Sequence, residues 1–406
     1  MHVLHVAPYY APAWSFGGVV AAVTGLAEAQ SRAGYQVTVL TTDALGRSGR
    51  IDALDETLRG VRVVRRRIVS GLLRRQLHLS TPLGFRTAAV DLLRETQVDL
   101  VHFHELRTVE NLIVAGCAQS AGIPRVVSPH GTLPYTIGSK IAKRTWDLVF
   151  ATSLVRRFDH VIALTGQEAG DTHALWNRFG ARLLEPQVSI VPNGVAPLPP
   201  ASPALRAAFR RRWQLGEGPV ILFLGRLAER KGLGLLITAF DDIVPRCPGA
   251  RLLVVGPDEG ILGRMKARVR TLGLEGHVTF AGLLVGEEKL EALASSDIFA
   301  LPAHGEGHSI ATLEAMAMGL PVVISDSVSM PELEAEGAGI VVRPVAGLLA
   351  EALADLAGDA ARRLRMGQRC RELVAREYTW ADIAARMDKV YQGVLRRGHP
   401  PAARGA

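Results

Sequence analysis

The chain has 406 residues, too many for one compact core and enough for two domains of ordinary size. Apolar residues make up 48% and charged residues 21%, which excludes a disordered or fibrous protein. The net charge of +8 favours acidic partners, and of these we expect phosphates and anionic lipids rather than nucleic acid. An arginine-rich composition gives the same charge without any functional role, and that alternative stays open.

Three widely spaced cysteines, Cys117, Cys247 and Cys370, argue against a disulfide framework and for a reducing, cytoplasmic setting. No two of them have the spacing of zinc ligands, and no carboxylates are arranged for magnesium, so we expect neither a metal nor a cofactor. No stretch is long and apolar enough to cross a membrane, and the first residues, MHVLHVAPYY, lack the cationic start of a signal peptide.

Short apolar runs alternate with longer helical stretches along the chain, which indicates βαβ units and parallel sheets. The first half contains the runs HVLHVAP, QVTVLTT, VRVVRR, VDLVHFH, RVVSPHG and HVIALTG. The second half contains PVILFLG, RLLVVGP, HVTFAG, IFALPA, PVVIS and GIVVRP. The predicted fold class is therefore α/β, with two Rossmann-like, doubly wound domains facing a central cleft.

The domain boundary is predicted in the segment VPNGVAPLPPASPAL, residues 191–205, which is rich in proline and is expected to form neither helix nor strand. We place an N-terminal domain at residues 1–198 and a C-terminal domain at residues 199–378. Residues 379–406 follow, with the helical periodicity of YTWADIAARMDKVYQGVLRR and then a frayed tail.

The first loop carries Gly17 and Gly18 before a predicted helix. Glycines allow a backbone to approach a ligand closely, and the amino end of a helix attracts an anion. A plain turn between a strand and a helix has the same sequence pattern, so the pair alone does not separate the two interpretations.

A basic loop, FLGRLAERKG, contains Gly225, Arg226, Lys231 and Gly232. Arginine can bind a phosphate through two N–H groups, and lysine adds a compact charge. Fixed cations there would stabilise a departing nucleoside diphosphate, which gains negative charge as a glycosidic bond breaks. The alternative is that both side chains are simply solvated, as most charges are.

The segment HGEGHSIATLEAMAMGLP holds two glutamates, Glu306 and Glu314. A helix is predicted from Ser309 to Met318, with Gly319 as its C-terminal cap. Glu306, in the loop before the helix, would face a transferred sugar, and Glu314 would reach the cis hydroxyls of a ribose. The alternative is an exposed Glu314, but its apolar neighbours mean that this carboxylate needs a partner.

Histidines end two predicted strands. His130, in SPHG, either contacts a donor sugar or its phosphate or is structural. For HFHE, His102 to Glu105, we favour the structural interpretation. The basic and apolar segment from Lys140 to Phe158 could lie on an anionic membrane, helped by Arg62 to Arg75, although a solvated helix face explains it equally well.

Together these motifs resemble the family 4 retaining glycosyltransferases, which have the two-domain GT-B fold. The likeness spans nearly the whole chain and includes the glycine-rich first loop, SPHG, ALTGQE, VPNG, the GR…KG loop and the two glutamates. The resemblance implies an enzyme that needs no metal and retains anomeric configuration, by front-face attack through an oxocarbenium-like state. It also implies that the last helix crosses back onto the N-terminal domain.

The resemblance implies a role for each matching residue. Arg226 and Lys231 would bind the donor diphosphate, Glu314 the ribose, and Glu306 a hydroxyl of the donor sugar. The catalytic residues implied are Glu306, His130, Arg226 and Lys231. The donor-binding residues implied are Gly17, Gly18, Gly225, Arg226, Lys231, Ala281, Gly282, Glu306, Gly307, His308, Ser309, Ile310 and Glu314, with the backbone around Ala281 and Gly282 holding the base.

One departure from the family pattern concerns the donor. Many members have Glu-Gly-Phe-Gly where this chain has Glu306, Gly307, His308 and Ser309. Ser309 replaces a glycine that lets the backbone approach the donor, although its hydroxyl could itself bond a phosphate. The change leaves the identity of the donor open.

We therefore expect transfer of a hexose from a UDP- or GDP-linked sugar to a glycan or lipid-linked acceptor, in cell-surface or exopolysaccharide assembly. The expected location is cytoplasmic, with a peripheral position at the inner face of the membrane as a further hypothesis. A nucleotide-sugar-binding protein without catalysis is an alternative, and glycoside hydrolysis by Glu306 and Glu314 is another, although it leaves Arg226 and Lys231 unexplained. No GxGxxG fingerprint follows the first strand, which disfavours a dehydrogenase.

Overall fold

A computed structural model describes residues 1–46, 49–69, 82–135, 140–184, 187–199 and 202–398. The chain forms two compact units, each with its own sheet. Unit 1 comprises Met1–Gly194 and Trp380–Ala406, and unit 2 comprises Val195–Thr379. The chain thus enters unit 2 at Val195, slightly before the boundary at residue 198 that we predict, and re-enters unit 1 at Trp380.

The strands of unit 1 are β1 (His2–Val6), β2 (Gln36–Thr42), β3 (Asp55–Leu58), β4 (Val61–Arg66), β5 (Leu100–His104), β6 (Arg125–Ser128), β7 (His160–Ala163) and β8 (Val188–Ile190). In the described part of the unit they form one sheet in the order β3-β4-β2-β1-β5-β6-β7-β8. Every neighbouring pair is parallel except β3 with β4, at one edge. Strands β1 and β5 are buried along their whole length, as is typical of a parallel sheet covered on both faces.

Unit 2 contains β9 (Val220–Leu224), β10 (Arg251–Val255), β11 (Val278–Gly282), β12 (Ile298–Leu301), β13 (Val322–Ser325) and β14 (Gly339–Val342). These strands form a fully parallel sheet in the order β11-β10-β9-β12-β13-β14. The strand order reverses direction at β9, and the loop after such a strand is a common ligand site in doubly wound folds. The apolar residues of β9 and β12 belong to the core of this unit.

Before the chain enters unit 2, unit 1 contains the helices α1 (Gly18–Arg32), α2 (Phe85–Glu95), α3 (Val109–Ser120), α4 (Lys140–Trp146), α5 (Thr152–Val155) and α6 (Gly166–Arg178). Unit 2 contains α7 (Pro203–Arg212), α8 (Leu233–Ile243), α9 (Leu262–Thr271), α10 (Gly286–Ala294), α11 (Ile310–Met318), α12 (Glu332–Ala335), α13 (Ala346–Gly358) and α14 (Ala360–Glu377). The last helix, α15 (Trp380–Gly398), belongs to unit 1. None of the helices in the described ranges is long and apolar enough to span a membrane.

The last helix of the chain packs against α1. A Cβ atom on Gly25 would lie 2.2 Å from the indole ring of Trp380, so only glycine allows this close approach. Farther along α15, the hydroxyl of Tyr391 accepts a hydrogen bond of 3.2 Å from Nε2 of Gln30 on α1. Both side chains are fully buried, so α15 contributes to the core of unit 1.

The prediction of an α/β protein with two parallel-sheet domains is confirmed, and each predicted strand is present. Two edge strands, β3 and β8, were not predicted, because the short segments DETL and VSI lack the apolar run that marks a buried strand. The expectation that residues 191–205 contain no helix is wrong at its end, since α7 begins at Pro203. Proline is tolerated in the first turn of a helix, where its missing N–H has no partner within the helix.

Candidate functional site

The candidate site of unit 2 is built on the loops that follow β9 and β12. After β9, the N–H of Gly225 donates to the carbonyl oxygen of Val255 (3.0 Å), and the chain then makes a short 3-10 turn over Glu229–Lys231. Gly232 closes the turn with φ of 73°, in the left-handed region. A Cβ atom there would lie 1.9 Å from the carbonyl oxygen of Pro302, so glycine lets the two loops meet.

Two cations enclose the carboxylate of Glu306. Nζ of Lys231 lies 2.8 Å and Nη1 of Arg230 lies 2.9 Å from the same Oε2 atom. The side chains of Lys231 and Glu306 are only 10% and 16% exposed. Burial would raise the pKa of Glu306, but the two cations outweigh it and lower that pKa to about 2. Glu306 is therefore an ionised acceptor at neutral pH, and the cluster carries one excess positive charge.

Lys231 and Arg226 have different partners. Burial lowers the pKa of Lys231, and the attraction of Glu306 opposes that shift. Arg226 forms its ion pair with Glu259, and about a third of each side chain is exposed. The charge of Arg226 also contributes to the lowered pKa of Lys231, so the two predicted phosphate-binding residues lie within electrostatic reach of each other.

The helix after β12, α11, begins at Ile310, one residue after the predicted start. Ser309 is its N-cap, with Oγ accepting a hydrogen bond of 3.3 Å from the backbone N–H of Thr312. Gly319 ends it in the left-handed conformation with φ of 81°. The hydroxyl of Ser309 thus caps the helix, a role that the departure from the family's glycine did not suggest.

Glu314 lies in the middle of α11 and has a cation as its partner. Oε1 of Glu314 is 2.6 Å from Nζ of Lys289 on α10, and the two side chains are 16% and 29% exposed. The expectation that this carboxylate needs a partner is therefore confirmed. The structure pairs each of the two glutamates with its own basic group, Glu306 with Lys231 and Arg230 and Glu314 with Lys289.

The remaining predicted residues of the 306–310 segment are mostly packed into unit 2. The carbonyl oxygen of Gly307 accepts a hydrogen bond of 3.2 Å from the N–H of Ser329. His308 is buried against the ring of Tyr378, with ring centroids 5.3 Å apart, and burial lowers its pKa to about 4. Ile310 is the first residue of α11 and is also buried.

Ala281 and Gly282, the predicted base-binding residues, end β11. The carbonyl oxygen of Gly282 accepts a hydrogen bond of 2.8 Å from the N–H of Gly256, and the register of β11 against β10 shifts there. Gly282 is exposed and has φ of 73°. The backbone at this strand end is thus accessible, as contact with a base through main-chain groups requires.

In unit 1, Gly17 and Gly18 lie at the start of α1. Gly17 is the N-cap and has φ of 89°, a conformation that favours glycine. Gly18 is exposed, and a Cβ atom added to it would meet nothing within 4 Å. Packing within the described chain therefore does not require glycine at position 18.

His130 follows β6 and has φ of 56°, an unusual backbone for a residue with a side chain. The next residue, Gly131, donates its N–H to the carboxylate of Glu168, which also accepts a hydrogen bond of 2.7 Å from the N–H of Leu164. Glu168 is 4% exposed and comes from the ALTGQE segment. This segment therefore holds the His130 loop against the end of β7.

Sequence reasoning missed three charged partners. Arg230 lies in the basic loop FLGRLAERKG, next to Lys231, but its contact with Glu306 is visible only in the folded chain. Lys289 and Glu259 lie 25 and 33 residues from their partners, and no local pattern marks them. It also missed Gln30 and Tyr391, which contact the buried histidines of unit 1.

Comparisons with known proteins agree with one another. Residues 16–197 match the family described as Glycosyltransferase Family 4, and residues 206–373 match Glycosyl transferases group 1. Over 334 residues the chain is 30% identical to the GDP-mannose-dependent monoacylated alpha-(1-6)-phosphatidylinositol monomannoside mannosyltransferase of Corynebacterium glutamicum, covering 78% of this chain and 82% of that protein.

A second relative matches over a shorter span. The chain is 36% identical over 201 residues to the GDP-mannose-dependent alpha-(1-6)-phosphatidylinositol monomannoside mannosyltransferase of Mycobacterium tuberculosis. That match covers 47% of this chain and about half, 52%, of the length of the relative.

Solved structures match over nearly the whole chain. Sucrose-phosphate synthase from Thermosynechococcus elongatus has a TM-score of 0.76 at 22% identity, covering 98% of this chain and 99% of that one. Anabaena Alr3699/HepE, solved in complex with UDP and glucose, has a TM-score of 0.76 at 20% identity and covers 97% and 99%. At these identities the likeness is evidence for the fold.

Proposed function

Because the chain belongs to glycosyltransferase family 4, we propose that it transfers a hexose from a nucleoside-diphosphate sugar, UDP- or GDP-linked, to a glycan or lipid-linked acceptor. We further propose that it does so without a metal ion and with retention of anomeric configuration. The observation that carries the proposal is the shielded cluster of Lys231, Arg230 and Glu306 at the end of β9 and β12.

The cluster suits a diphosphate leaving group. Lys231 has three N–H donors, so it can keep its bond to Glu306 and bind a phosphate oxygen at the same time. As the glycosidic bond breaks, negative charge grows on the diphosphate, and Lys231, Arg230 and Arg226 would stabilise that charge. Preorganised cations supply the charge for which other enzymes use a metal ion, and this supports metal independence.

The two glutamates suit hydroxyl groups. Glu306 is ionised at neutral pH, since its pKa is about 2, and can accept hydrogen bonds from hydroxyls of the donor sugar. Lys289 holds one oxygen of Glu314, and the other oxygen can accept from the ribose. A glycoside hydrolase needs one carboxylic acid with a raised pKa to protonate the leaving group, and Glu306, with its lowered pKa, does not suit that role.

The first donor to test is GDP-mannose. The relatives from C. glutamicum and M. tuberculosis are both described as GDP-mannose-dependent mannosyltransferases acting on phosphatidylinositol mannosides. Mannose is a hexose, and a phosphatidylinositol mannoside is a lipid-linked acceptor, so these names agree with the reaction class proposed here. The competing donor is UDP-glucose, because UDP and glucose are the ligands in the Alr3699/HepE structure.

A lipid-linked acceptor would bring unit 1 to a membrane, at its inner face in our proposal. Ile141, Leu148 and Val149, in and after α4, are 79%, 85% and 62% exposed, and Lys140 and Arg144 add positive charge. Exposed apolar residues beside cations suit an anionic lipid surface. The Arg62–Arg75 segment, which the sequence suggested as a second contact, extends outside the described residues.

The membrane contact is tested by sedimentation with vesicles of phosphatidylglycerol and of phosphatidylcholine. The Leu148→Ser variant should lose binding to the anionic vesicles. Leu364→Ser is the matched control, because Leu364 is 70% exposed on α14 of unit 2. Equal binding of both variants and the unchanged chain would argue against this surface.

The reaction is tested by incubating the chain with GDP-mannose or UDP-glucose, EDTA, and vesicles containing phosphatidylinositol or its monomannoside. The expected result is a glycolipid whose anomeric configuration equals that of the donor. Release of free sugar from a glycan without any nucleotide would instead indicate a hydrolase. Donor binding without turnover over a broad acceptor panel would indicate a nucleotide-sugar-binding protein that has lost catalysis.

A further inference from the structure

Four histidines in unit 1 form part of one hydrogen-bonded chain. His5 on β1 and His104 on β5 are joined by a contact of 2.9 Å between Nδ1 of His5 and Nε2 of His104. Nδ1 of His104 lies 2.9 Å from Nε2 of His130, after β6. On the neighbouring branch, Nε2 of His102 lies 2.8 Å from Oγ of Ser128.

Gln30 connects the two branches. Its Oε1 lies 2.7 Å from Nε2 of His5, and its Nε2 donates to the hydroxyl of Tyr391 (3.2 Å). The Tyr391 hydroxyl in turn lies 2.7 Å from Nδ1 of His102. Gln30, His5, His102 and Tyr391 are all fully buried, so no water competes for these bonds.

The orientation of the Gln30 amide determines the tautomers of His5, His104 and His130. Since Oε1 can only accept, Nε2 of His5 carries the proton, and Nδ1 of His5 must accept from Nε2–H of His104. By the same step Nδ1 of His104 accepts from Nε2–H of His130. Nδ1 of His130 is then left with a lone pair. This atom is buried and has no hydrogen-bond partner among the described residues.

The argument requires neutral rings, and the surroundings favour them. Burial lowers the pKa of His5 and of His130 to about 4, and burial together with the neighbouring histidines lowers those of His102 and His104 well below their usual value. Each neutral ring has one donor and one acceptor nitrogen, so reversing one of the links between His5, His104 and His130 reverses the others.

The three innermost histidines could also suggest a metal site, because ligand atoms of His5, His102 and His104 lie within 4.8 Å of one another. However, each of their six ring nitrogens already has a hydrogen-bond partner within the chain. A metal ion would have to break several of these bonds. The geometry therefore favours a hydrogen-bonded chain over a metal centre.

We propose that Gln30, whose Nε2 donates to Tyr391, fixes the tautomers of His5, His104 and His130, so that His130 presents Nδ1 as a hydrogen-bond acceptor to a hydroxyl group of a sugar ligand. A phosphate is excluded as the partner of this atom, because phosphate oxygens need a donor. Gln30 and Tyr391 are positioning residues, since they act on the ligand only through the hydrogen-bonded histidines. The choice of a sugar ligand rests on the proposed function, whereas the tautomer does not.

The loop that carries His130 is held for such a task. Its left-handed backbone, with φ of 56°, is the kind of strained conformation that persists only where the surroundings enforce it. Glu168 does so by accepting the hydrogen bond of Gly131. The ring is thus fixed from two sides, by the backbone after β6 and by Nε2–H donation to His104.

Nitrogen-15 NMR of the full chain, labelled at histidine, tests the tautomer directly. The His130 signal is identified by its loss in His130→Ala. We expect Nδ1 of His130 to be unprotonated and Nε2 to carry the proton, and we expect Tyr391→Phe and Gln30→Met to produce a mixture of tautomers at His130. Thr38→Val is the matched control, because it removes a buried contact of 3.0 Å between Thr38 and His2, which do not belong to the hydrogen-bonded residues described above.

Three results would overturn the proposal. They are a proton on Nδ1 of His130 in the unchanged protein, an unchanged His130 tautomer in both Tyr391→Phe and Gln30→Met, and stoichiometric zinc bound to the histidines of the purified protein. Melting curves identify variants that fail to fold, and Tyr391→Phe, which removes only one oxygen atom, is the milder of the two changes.

The ligand is tested on the same sample with GDP-mannose, UDP-glucose, GDP and UDP. One nucleotide sugar should shift the Nδ1 signal of His130, and its nucleoside diphosphate should not. Tyr391→Phe should weaken binding of that nucleotide sugar by about threefold to tenfold, the range expected for one hydrogen bond. An equal shift with the nucleoside diphosphate would overturn the assignment to a sugar hydroxyl. If no nucleotide sugar binds at all, the proposed function fails, while the tautomer result is judged on its own.

Discussion

Replacing Glu306 by glutamine tests the buried cluster of unit 2. In the folded chain the pKa of this carboxyl falls from 4.5 to about 2. A shift of that size corresponds to about 3 kcal/mol of stability at neutral pH. Because the folded pKa lies below the unfolded one, this contribution is complete above about pH 4.5 and is lost as the pH falls through about 2.

The assay is urea unfolding of the unchanged chain and of Glu306→Gln at pH 7 and pH 3, with hydrogen exchange in β9 and β12 reporting on unit 2. We expect Glu306→Gln to lower the free energy of unfolding by about 3 kcal/mol at pH 7 and by about half of that at pH 3. Glu259→Gln is the control, because its pair with Arg226 is about one-third exposed and is expected to contribute less than about 1 kcal/mol.

Part of the loss comes from Lys231, which remains buried after the carboxylate is removed. The double variant Glu306→Gln with Lys231→Met should therefore be more stable than Glu306→Gln alone, since an unpaired buried charge is strongly destabilising. A loss below about 1 kcal/mol at pH 7, or a loss of the same size at pH 3, would refute the linkage between charge and stability argued here.

Three further predictions concern the donor site and its loops. Arg226→Ala and Glu314→Ala should each lower kcat/KM for sugar transfer by about tenfold or more, and a loss of only a few-fold in both would count against the proposed site. Lys289→Met should weaken the binding of a nucleoside diphosphate by about threefold to tenfold, because Glu314 loses the cation that holds its carboxylate. Calorimetry measures this affinity, and an unchanged affinity would show that Glu314 does not need Lys289. Gly232→Ala should lower the free energy of unfolding by about 1–3 kcal/mol or more. Gly263→Ala, in the first turn of α9 where an added Cβ atom meets nothing within 4 Å, should raise it by about 0.5–1 kcal/mol. Equal effects would contradict the close approach of Gly232 to Pro302.

The fold could be predicted because its signal is local. Runs such as VILFL in β9 and IFAL in β12 are continuous apolar segments, as strands buried on both faces must be, and Gly225 directly follows β9. The same reasoning located the α11 helix, whose cap residues stand directly at its ends. The strands β3 and β8 were not predicted, because an edge strand does not need a continuous apolar run.

The charged partners could not be predicted, for a physical reason. Glu306 and Lys231 were both predicted as site residues. Their pairing, however, depends on the adjacency of β9 and β12, and strand order cannot be read from the sequence. The hydrogen bonds that lead to His130 are still harder to predict, because they join residues of β1, α1, β5 and α15, among them Gln30 and Tyr391. Long-range polar networks follow from topology, and only apolar periodicity and turn chemistry can be read in a short window.

The most direct test of the central claim is thermal unfolding in EDTA with GDP, UDP, GDP-mannose and UDP-glucose, repeated with magnesium. A ligand that binds only the folded state at about a hundred times its Kd adds about 2.7 kcal/mol, which for a unit of this size raises Tm by about 5–10 °C. We predict such a rise with one nucleoside diphosphate and its sugar in EDTA, and its loss in Lys231→Met. No rise with any of the four ligands, or a rise only when magnesium is present, would contradict a metal-independent site for a nucleoside-diphosphate sugar.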